Sequence, residues 1–378
     1  MKIDEIILRE VGMRLKGPFE TSFGTICGRR IALVEVRCDG IGGWGEVTAA
    51  EGPFYNSETT DIAWIVLCNF VAPLLLGKNI KTASEVMQLL EPIRGHEMAK
   101  AALETALWDV EARQKGLPLW RLLGGTRPEI ACGVSLGIRH DPQELIGAVE
   151  KELKDGYQRI KIKIKPGKDL DFVSAVRKQF PKTRLMADAN SAYRLADAEF
   201  LRKFDAFELM MIEQPLEWDD MYHHSKLQTL LKTPICLDEC IHNPDHAEAA
   251  LNMGACRIIN IKLGRVGGHS HARQIEELCR SRGVPVWCGG MLETGIGRAH
   301  NIAMSTLSGF VLPGDVSASQ RYWDEDLIEP EVQVTPSGTI RVPTAPGIGY
   351  TVRTKRVEQL TTRLETLRAV NSGVPVAG

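Results

Sequence analysis

Two lysines and three carboxylates recur along the middle of the chain at nearly constant intervals. Lys163, Asp188, Glu213, Asp238 and Lys262 follow one another at intervals of 25, 25, 25 and 24 residues. Three neighbouring carboxylates repel one another, and a hard dication such as Mg²⁺, which prefers oxygen ligands, relieves that repulsion. A lysine with a lowered pKa can act as a general base. The spacing therefore predicts a bound Mg²⁺ that is flanked by two lysines on opposite sides.

These side chains need parallel strands to bring them together. Short apolar runs alternate with polar, helix-length segments through the middle of the chain, and strands separated by single helices form parallel βαβ units. Eight units favour a closed α/β barrel over an open sheet, although periodicity alone does not separate the two. In a barrel, the carboxyl ends of the strands surround one mouth. The predicted strands are 132–138, 159–164, 184–188, 208–213, 235–238, 257–262, 284–288 and 309–312.

Each of these residues alone also has a simpler interpretation. An Asp after a strand is commonly a helix N-cap, and a lysine at a strand end is commonly solvated. Five such residues in register favour a site instead. The stretch RIKIKIKPG (159–167) places three lysines on one face of a strand. We expect Lys163 level with the cation, Lys161 one layer below, and Lys165 past the mouth in solvent.

The flanking regions predict a second structural unit. The segments 30–40 and 41–47 read as a hairpin, residues 58–123 as helical, 338–343 as a strand and 355–369 as a final helix. We therefore expect an α+β domain at 1–125, a barrel at 126–320, and a segment at 321–378 that packs back on the first domain.

Composition excludes several classes of protein. The chain has 378 residues, of which 44% are hydrophobic and 25% charged, and its net charge is −2, so neither nucleic acid nor a membrane is expected as a partner. We find no signal peptide and no run of 18 apolar residues, and the nine cysteines include no C-x-x-C pair. These features predict a cytoplasmic protein with reduced thiols.

The motifs resemble those of the enolase superfamily, muconate-lactonizing subgroup, and the resemblance covers essentially the whole chain. Within the subgroup, PFETSFGT (18–25), GVSLGI (133–138) and GGMLETGIGRAHN (289–301) are similar to the family that holds o-succinylbenzoate synthases and N-succinylamino acid racemases. The resemblance implies a modified TIM barrel, (β/α)7β, with an α+β capping domain, and a homo-oligomer. The superfamily motifs are KIK at 161–163, DAN at 188–190, EQP at 213–215, DE at 238–239 and IKLGRVGG at 261–268.

The resemblance also implies roles for individual residues. Asp188, Glu213 and Asp238 would bind Mg²⁺, for which Mn²⁺ can substitute, and Lys163 and Lys262 would be the acid/base pair. Lys161, Asn190 and Glu239 would support them, and Arg265 either tunes Lys262 or is an ordinary surface residue. Contacts to a small-molecule carboxylate substrate are implied for a looser set, in which ordinary packing is the alternative for the apolar members: Ser135, Phe19, Ser22, Phe23, Gly289, Gly290 and Met291.

The expected chemistry is removal of a proton α to a carboxylate. In the synthase reaction, a dehydration in menaquinone synthesis, Lys163 would act as base while Lys262 stays charged; in the racemase reaction the two would exchange roles. A muconate-type cycloisomerase, a dipeptide epimerase and a non-catalytic carboxylate-binding barrel remain alternatives. The epimerase is disfavoured because the usual Asp-x-Asp near strand eight is replaced by Asp315 and Ser317. A mandelate-racemase-like branch is disfavoured because PVWCGGM has no histidine.

Overall fold

A computed structural model describes residues 1–369, which contain an antiparallel sheet and a curled parallel sheet. The strands are β1 (Ile3–Thr21), β2 (Gly24–Cys38), β3 (Ile41–Glu46), β4 (Glu129–Ala131), β5 (Gly133–Leu136), β6 (Arg159–Lys163), β7 (Leu185–Asp188), β8 (Ile212–Glu213), β9 (Ile235–Leu237), β10 (Ile258–Ile261), β11 (Val286–Cys288), β12 (Ile328–Glu329), β13 (Thr339–Arg341), β14 (Thr351–Val352) and β15 (Thr361–Arg368). The α-helices are α1 (Thr60–Val66), α2 (Ala72–Leu75), α3 (Val86–Leu89), α4 (Glu97–Gln114), α5 (Leu119–Leu122), α6 (Pro142–Lys154), α7 (Leu170–Gln179), α8 (Ala198–Leu201), α9 (Met221–Leu230), α10 (Pro244–Met253), α11 (His269–Ser281), α12 (Gly295–Met304) and α13 (Thr354–Leu360).

The N-terminal sheet packs against the long helix α4. Its strand order is β15-β1-β2-β3, and every pairing is antiparallel. Gly45 on β3 lies so close to the helix that an added Cβ would overlap Ala102 O and come within 2.7 Å of Thr105 Oγ1. The glycine therefore lets sheet and helix approach closely.

Seven parallel strands form the second sheet, in which each strand pairs with its neighbour in the chain, from β5 to β11. The alternation on β6 sends Ile160 and Ile162 into the hydrophobic core with Leu145 and Val149 of α6. The lysines of β6 consequently face the other side. The prediction of a modified TIM barrel with a separate N-terminal α+β unit is confirmed.

The predicted eighth strand, 309–312, is wrong. Only single parallel bridges form there, between Phe310 and Val286 of β11 and between Gly314 and Cys132 beside β5. Pro313 has no backbone N–H to continue a ladder. The segment 310–315 nevertheless lies between β5 and β11, because Gly133 N donates to Gly314 O at 2.7 Å, so it joins the two edges of the curled sheet.

The predicted final helix is also wrong beyond its first two turns. Helix α13 ends at Leu360, and residues 361–368 form β15, which pairs antiparallel with β1. The edge of β1 offers unpaired backbone groups, and the β-branched Thr361 and Thr362 suit a strand. The three-part division of the chain stays a prediction, and its last residues, 370–378, lie outside the described part.

The predicted helical region 58–123 is interrupted. A π-helix at 67–71 separates α1 from α2, and two further short helices precede α4. None of the helices within residues 1–369 is long and apolar enough to cross a membrane.

Candidate active site

The predicted metal ligands and lysines lie at neighbouring strand ends. In the parallel register Lys163 is opposite Asp188, and Asp188 is opposite Glu213. Asp238 and Lys262 directly follow β9 and β10. All five side chains are buried. The structure thus places all five at the carboxyl ends of β6 to β10, and their roles in catalysis stay predictions.

Lys163 is tied to the first carboxylate. Its Nζ lies 2.6 Å from Asp188 Oδ2 and donates to Asn190 Oδ1 at 2.5 Å. Asn190 has a φ of 40°, in the left-handed region, which asparagine tolerates better than most residues. Its side-chain amide donates to Glu239 Oε1 at 2.8 Å. The predicted supporting residue Asn190 therefore links Lys163 to Glu239.

Lys161, two residues earlier on the same face of β6, lies between carboxylates. Its Nζ is 3.2 Å from Asp188 Oδ2 and 3.1 Å from Glu213 Oε2. A third carboxylate, that of Asp315, lies 2.7 Å away. Lys161 is thus placed to neutralise two of the predicted metal ligands at once.

Lys262 lies beside the third carboxylate. Its Nζ is 2.8 Å from Asp238 Oδ2 and donates to the hydroxyl of Tyr55 at 3.1 Å. The Tyr55 hydroxyl donates to Asp238 Oδ1 at 3.0 Å, and the guanidinium of Arg265 also pairs with that oxygen. Arg265 is completely buried, so its interpretation as a surface residue is wrong.

The two lysines differ in proton affinity. Burial lowers the pKa of Lys163 below its ordinary value, and the charge of Lys161 lowers it further against the opposing effect of Asp188. Burial also opposes the charged form of Lys262. There, however, the Tyr55 oxygen and the carboxylate of Glu239 outweigh burial and hold the pKa of Lys262 above its ordinary value. Lys163 therefore has the lower proton affinity of the two.

The carboxylates of the site also differ in their pKa values. Burial raises the pKa of Glu213, with the neighbouring charge of Asp188 adding to it. Burial also raises the pKa of Glu239, to about 7. For Asp188, burial is outweighed by Lys163 and Lys161, which hold its pKa well below the usual range. Asp188 is thus the most firmly ionised of these three side chains.

The donor set suits a hard cation without forming a ready-made cage. Asp188, Glu213 and Asp238 supply carboxylate oxygens, the ligands that Mg²⁺ prefers. Within residues 1–369, no three His, Cys, Asp or Glu side chains converge closely enough to hold a metal by themselves; lysines contact the carboxylates instead. Glu239 Oε2 is buried and lacks a hydrogen-bond partner among the described residues. The residues therefore fit a cation that replaces some of these ammonium contacts.

The β1–β2 hairpin reaches over the site. Ser22 Oγ at its tip donates to Asn190 O at 3.0 Å, and the ring of Phe23 lies 6.5 Å from that of Tyr55. Phe19 lies further back along β1, opposite a residue of β2, and packs against the hydrophobic core. Of the three predicted hairpin contacts, Ser22 and Phe23 thus lie beside residues of the site, and a contact between Phe19 and the substrate stays a prediction.

The remaining predicted substrate contacts lie at two other strand ends. Ser135 on β5 is opposite Lys161, and its buried hydroxyl has no hydrogen-bond partner in the described structure. Gly289 and Gly290 follow β11, where added Cβ atoms would press on neighbouring atoms. The backbone carbonyl of Met291 accepts a hydrogen bond from the Arg29 guanidinium, which fixes the backbone at this position. Ser135 is the one of these with a free polar group.

Three residues of the site escaped the sequence prediction. Tyr55 comes from a loop of the N-terminal region and contacts Asp238 and Lys262; its sequence carries no strand-end signal. Asp315 and Arg159 form an ion pair at 2.7 Å inside the barrel. Arg159 shares the alternating face of the β6 lysines, and that alternation was a signal for it.

The comparisons with known proteins agree with this architecture. The family model "Mandelate racemase / muconate lactonizing enzyme, N-terminal domain" matches residues 3–124, and "Enolase C-terminal domain-like" matches residues 144–356. An o-succinylbenzoate synthase of Geobacillus kaustophilus is 54% identical over 362 residues, 96% of each chain. An N-succinylamino acid racemase of Thermus thermophilus is 44% identical over 361 residues, 96% of this chain and 98% of its own.

Solved structures give the same result. An enolase superfamily member from Listeria innocua superimposes with a TM-score of 0.95 at 42% identity, covering 98% of this chain and 100% of its own. The two curated relatives are named o-succinylbenzoate synthase and N-succinylamino acid racemase, so the prediction that the chain is an enzyme related to both is confirmed. Because the two family models together span most of its length, the chain belongs to the enolase superfamily, with the N- and C-terminal domains of the mandelate racemase and muconate lactonizing enzymes.

Proposed function

We propose that this enzyme removes a proton α to a carboxylate, as an o-succinylbenzoate synthase, an N-succinylamino acid racemase, or both. The observation that carries the proposal is the placement of Lys163 and Lys262 at the carboxyl ends of β6 and β10, separated by three strands whose carboxyl ends bear the carboxylates. A substrate bound there would have one lysine on each face.

The carboxylates Asp188, Glu213 and Asp238 would hold Mg²⁺ or Mn²⁺. When bound, such a cation supplies Lewis-acid stabilisation of the charge that develops on the substrate carboxylate. Lys161 lies against two of these ligands and balances their charge. Asn190 orients Lys163 through its 2.5 Å contact.

In the dehydration, Lys163 would take the α-proton and then return a proton to the departing hydroxyl on the same face, which leaves as water. The lowered pKa of Lys163 supports its role as base, and the raised pKa of Lys262 supports a lysine that stays charged and stabilises the intermediate. In the racemisation, one lysine would remove the proton and the other would deliver one to the opposite face.

The alternatives are less well supported. A dipeptide epimerase would need a free carboxylate for the substrate ammonium near strand eight. Both oxygens of Asp315 are already held by Arg159 and Lys161, and Ser317 carries no charge. A muconate-type cycloisomerase would use the same lysines, so the lysines alone do not separate it from the proposed activities. A non-catalytic barrel would not need the intact acid/base set that this chain carries.

The proposal is tested by two parallel assays on the full chain. One follows dehydration of 2-succinyl-6-hydroxy-2,4-cyclohexadiene-1-carboxylate, and the other follows racemisation of N-succinylamino acids. Turnover in at least one assay is expected. Absence of both, with turnover of muconate or of a dipeptide, would reject the proposal.

A further inference from the structure

Asp315 pairs with two buried, positively charged side chains at the point where the barrel closes. One of its carboxylate oxygens, Oδ1, lies 2.7 Å from Arg159 NH1, and the other, Oδ2, lies 2.7 Å from Lys161 Nζ. The side chain of Asp315 is only 7% exposed. Its segment has no regular strand pairing, yet its two oxygens reach side chains of β6. Asp315 is therefore fixed by charge on both sides.

The contact with Asp315 bears on the position of the Lys161 ammonium group. Its ammonium group lies within ion-pair distance of three carboxylates, with the shortest contact to Asp315 at 2.7 Å and longer ones to Glu213 at 3.1 Å and Asp188 at 3.2 Å. The last two belong to the proposed cation site. Lys161 is thus shared between the cation site and Asp315.

The apolar ring of Trp287 lies beside both positively charged side chains. Nζ of Lys161 and the guanidinium carbon of Arg159 each lie 4.9 Å from the centre of the Trp287 ring. Trp287 is completely buried and packs with Met186 and Met211. An ammonium in this position needs carboxylate partners, because an unpaired buried charge is strongly destabilising.

We propose that Asp315 is a positioning residue that holds Lys161 back from Asp188 and Glu213 and so leaves those carboxylates able to bind a divalent cation. Without the charge of Asp315, Lys161 would pair more tightly with the two ligands and compete with the cation. The inference rests on the proposed function only through the use of these carboxylates as cation ligands.

The test is Mg²⁺ binding by titration calorimetry, which does not depend on turnover. Asp315→Asn should weaken Mg²⁺ binding by about tenfold or more, the usual effect of losing a group that orients metal ligands. In a Lys161→Met background the same substitution should change the affinity by less than about threefold, because effects through one intermediary are not additive. Equal losses in both backgrounds would overturn the proposal.

The matched control is Arg159→Met, which removes the other partner of Asp315 and leaves Lys161 in place. It should retain most of the Mg²⁺ affinity; a loss as large as that of Asp315→Asn would assign Asp315 to barrel closure and overturn the proposal. Loss of the circular-dichroism signal in both Asp315→Asn and Asp315→Ser would also assign Asp315 to barrel closure and overturn the proposal. A wild-type chain that binds Mg²⁺ but turns over neither substrate would contradict the proposed function and leave this comparison intact.

Discussion

The ammonium of Lys165 lies 3.0 Å from Glu20 Oε1, so the end of β6 is joined to the hairpin that covers the site. A backbone bond from Ile138 N to Glu20 O at 3.0 Å reinforces the contact. The expectation that Lys165 sees only solvent is therefore incomplete, since its side chain is 34% exposed and paired. The three lysines of RIKIKIKPG consequently differ in surroundings: Lys161 contacts three carboxylates, Lys163 contacts Asp188 and Asn190, and Lys165 pairs with Glu20 of the hairpin.

Lys165→Met should loosen the hairpin without removing the chemistry. A half-exposed ion pair contributes about 0.5 kcal/mol, so we expect KM to rise about two- to threefold while kcat stays nearly constant. Glu20→Gln should have the same effect, and the double variant should add little to either. Steady-state kinetics at low and high salt measure this. A hundredfold fall in kcat for Lys165→Met would mean that Lys165 takes part in proton transfer.

Removal of divalent cations should inactivate the enzyme. Treatment with EDTA should abolish turnover, and Mg²⁺ or Mn²⁺ should restore it, because Asp188, Glu213 and Asp238 would hold the cation. Added Mg²⁺ should also raise the melting temperature, since a ligand that binds only the folded state stabilises it. Undiminished turnover in EDTA would contradict the role of the three carboxylates.

His224 should make the stability of the protein depend on pH. Its Nε2 accepts from Leu216 N at 3.1 Å, and burial lowers its pKa to about 4. The unfolded chain therefore binds the proton more readily between pH 6.5 and 4, and stability is lost as the pH falls through that window, by up to about 3 kcal/mol. Urea unfolding at several pH values measures the effect. In His224→Gln the pH dependence should be smaller; an unchanged dependence would refute the assignment.

Two glycines should respond oppositely to substitution by alanine. Gly45→Ala should lower the free energy of unfolding by about 2 kcal/mol or more, because the added Cβ overlaps α4. Gly147→Ala is the matched control. Gly147 lies exposed within α6 with open space around it, so its substitution should stabilise the helix by about 0.5–1 kcal/mol. Thermal unfolding of the two variants distinguishes these outcomes, and equal effects would contradict the close approach of β3 and α4.

Much of the barrel was predictable because its strands and the residues that end them repeat at a nearly fixed spacing. Asp188 and Glu213 end β7 and β8, and the residues Asp238 and Lys262 follow β9 and β10 directly. A local apolar run is enough to predict such a strand, and parallel pairing then fixes which ends meet.

The failures come from long-range contacts. Residues 361–368 form a strand because β1 offers them an edge, which no local pattern reveals. Tyr55 reaches Asp238 from 183 positions away in the chain. Asp315 was noted only as half of a missing pair of aspartates, and its contacts with Arg159 and Lys161 depend on how the barrel closes.

The most direct test of the central claim is α-proton exchange of an N-succinylamino acid in D₂O, followed by proton NMR. The wild-type enzyme should replace the α-proton with deuterium. Lys163→Ala and Lys262→Ala, checked for an intact fold by circular dichroism, should each lower that rate by at least about a hundredfold, the usual contribution of a positioned acid or base. Substantial exchange surviving in both variants would contradict the assignment of these two lysines as the acid/base pair.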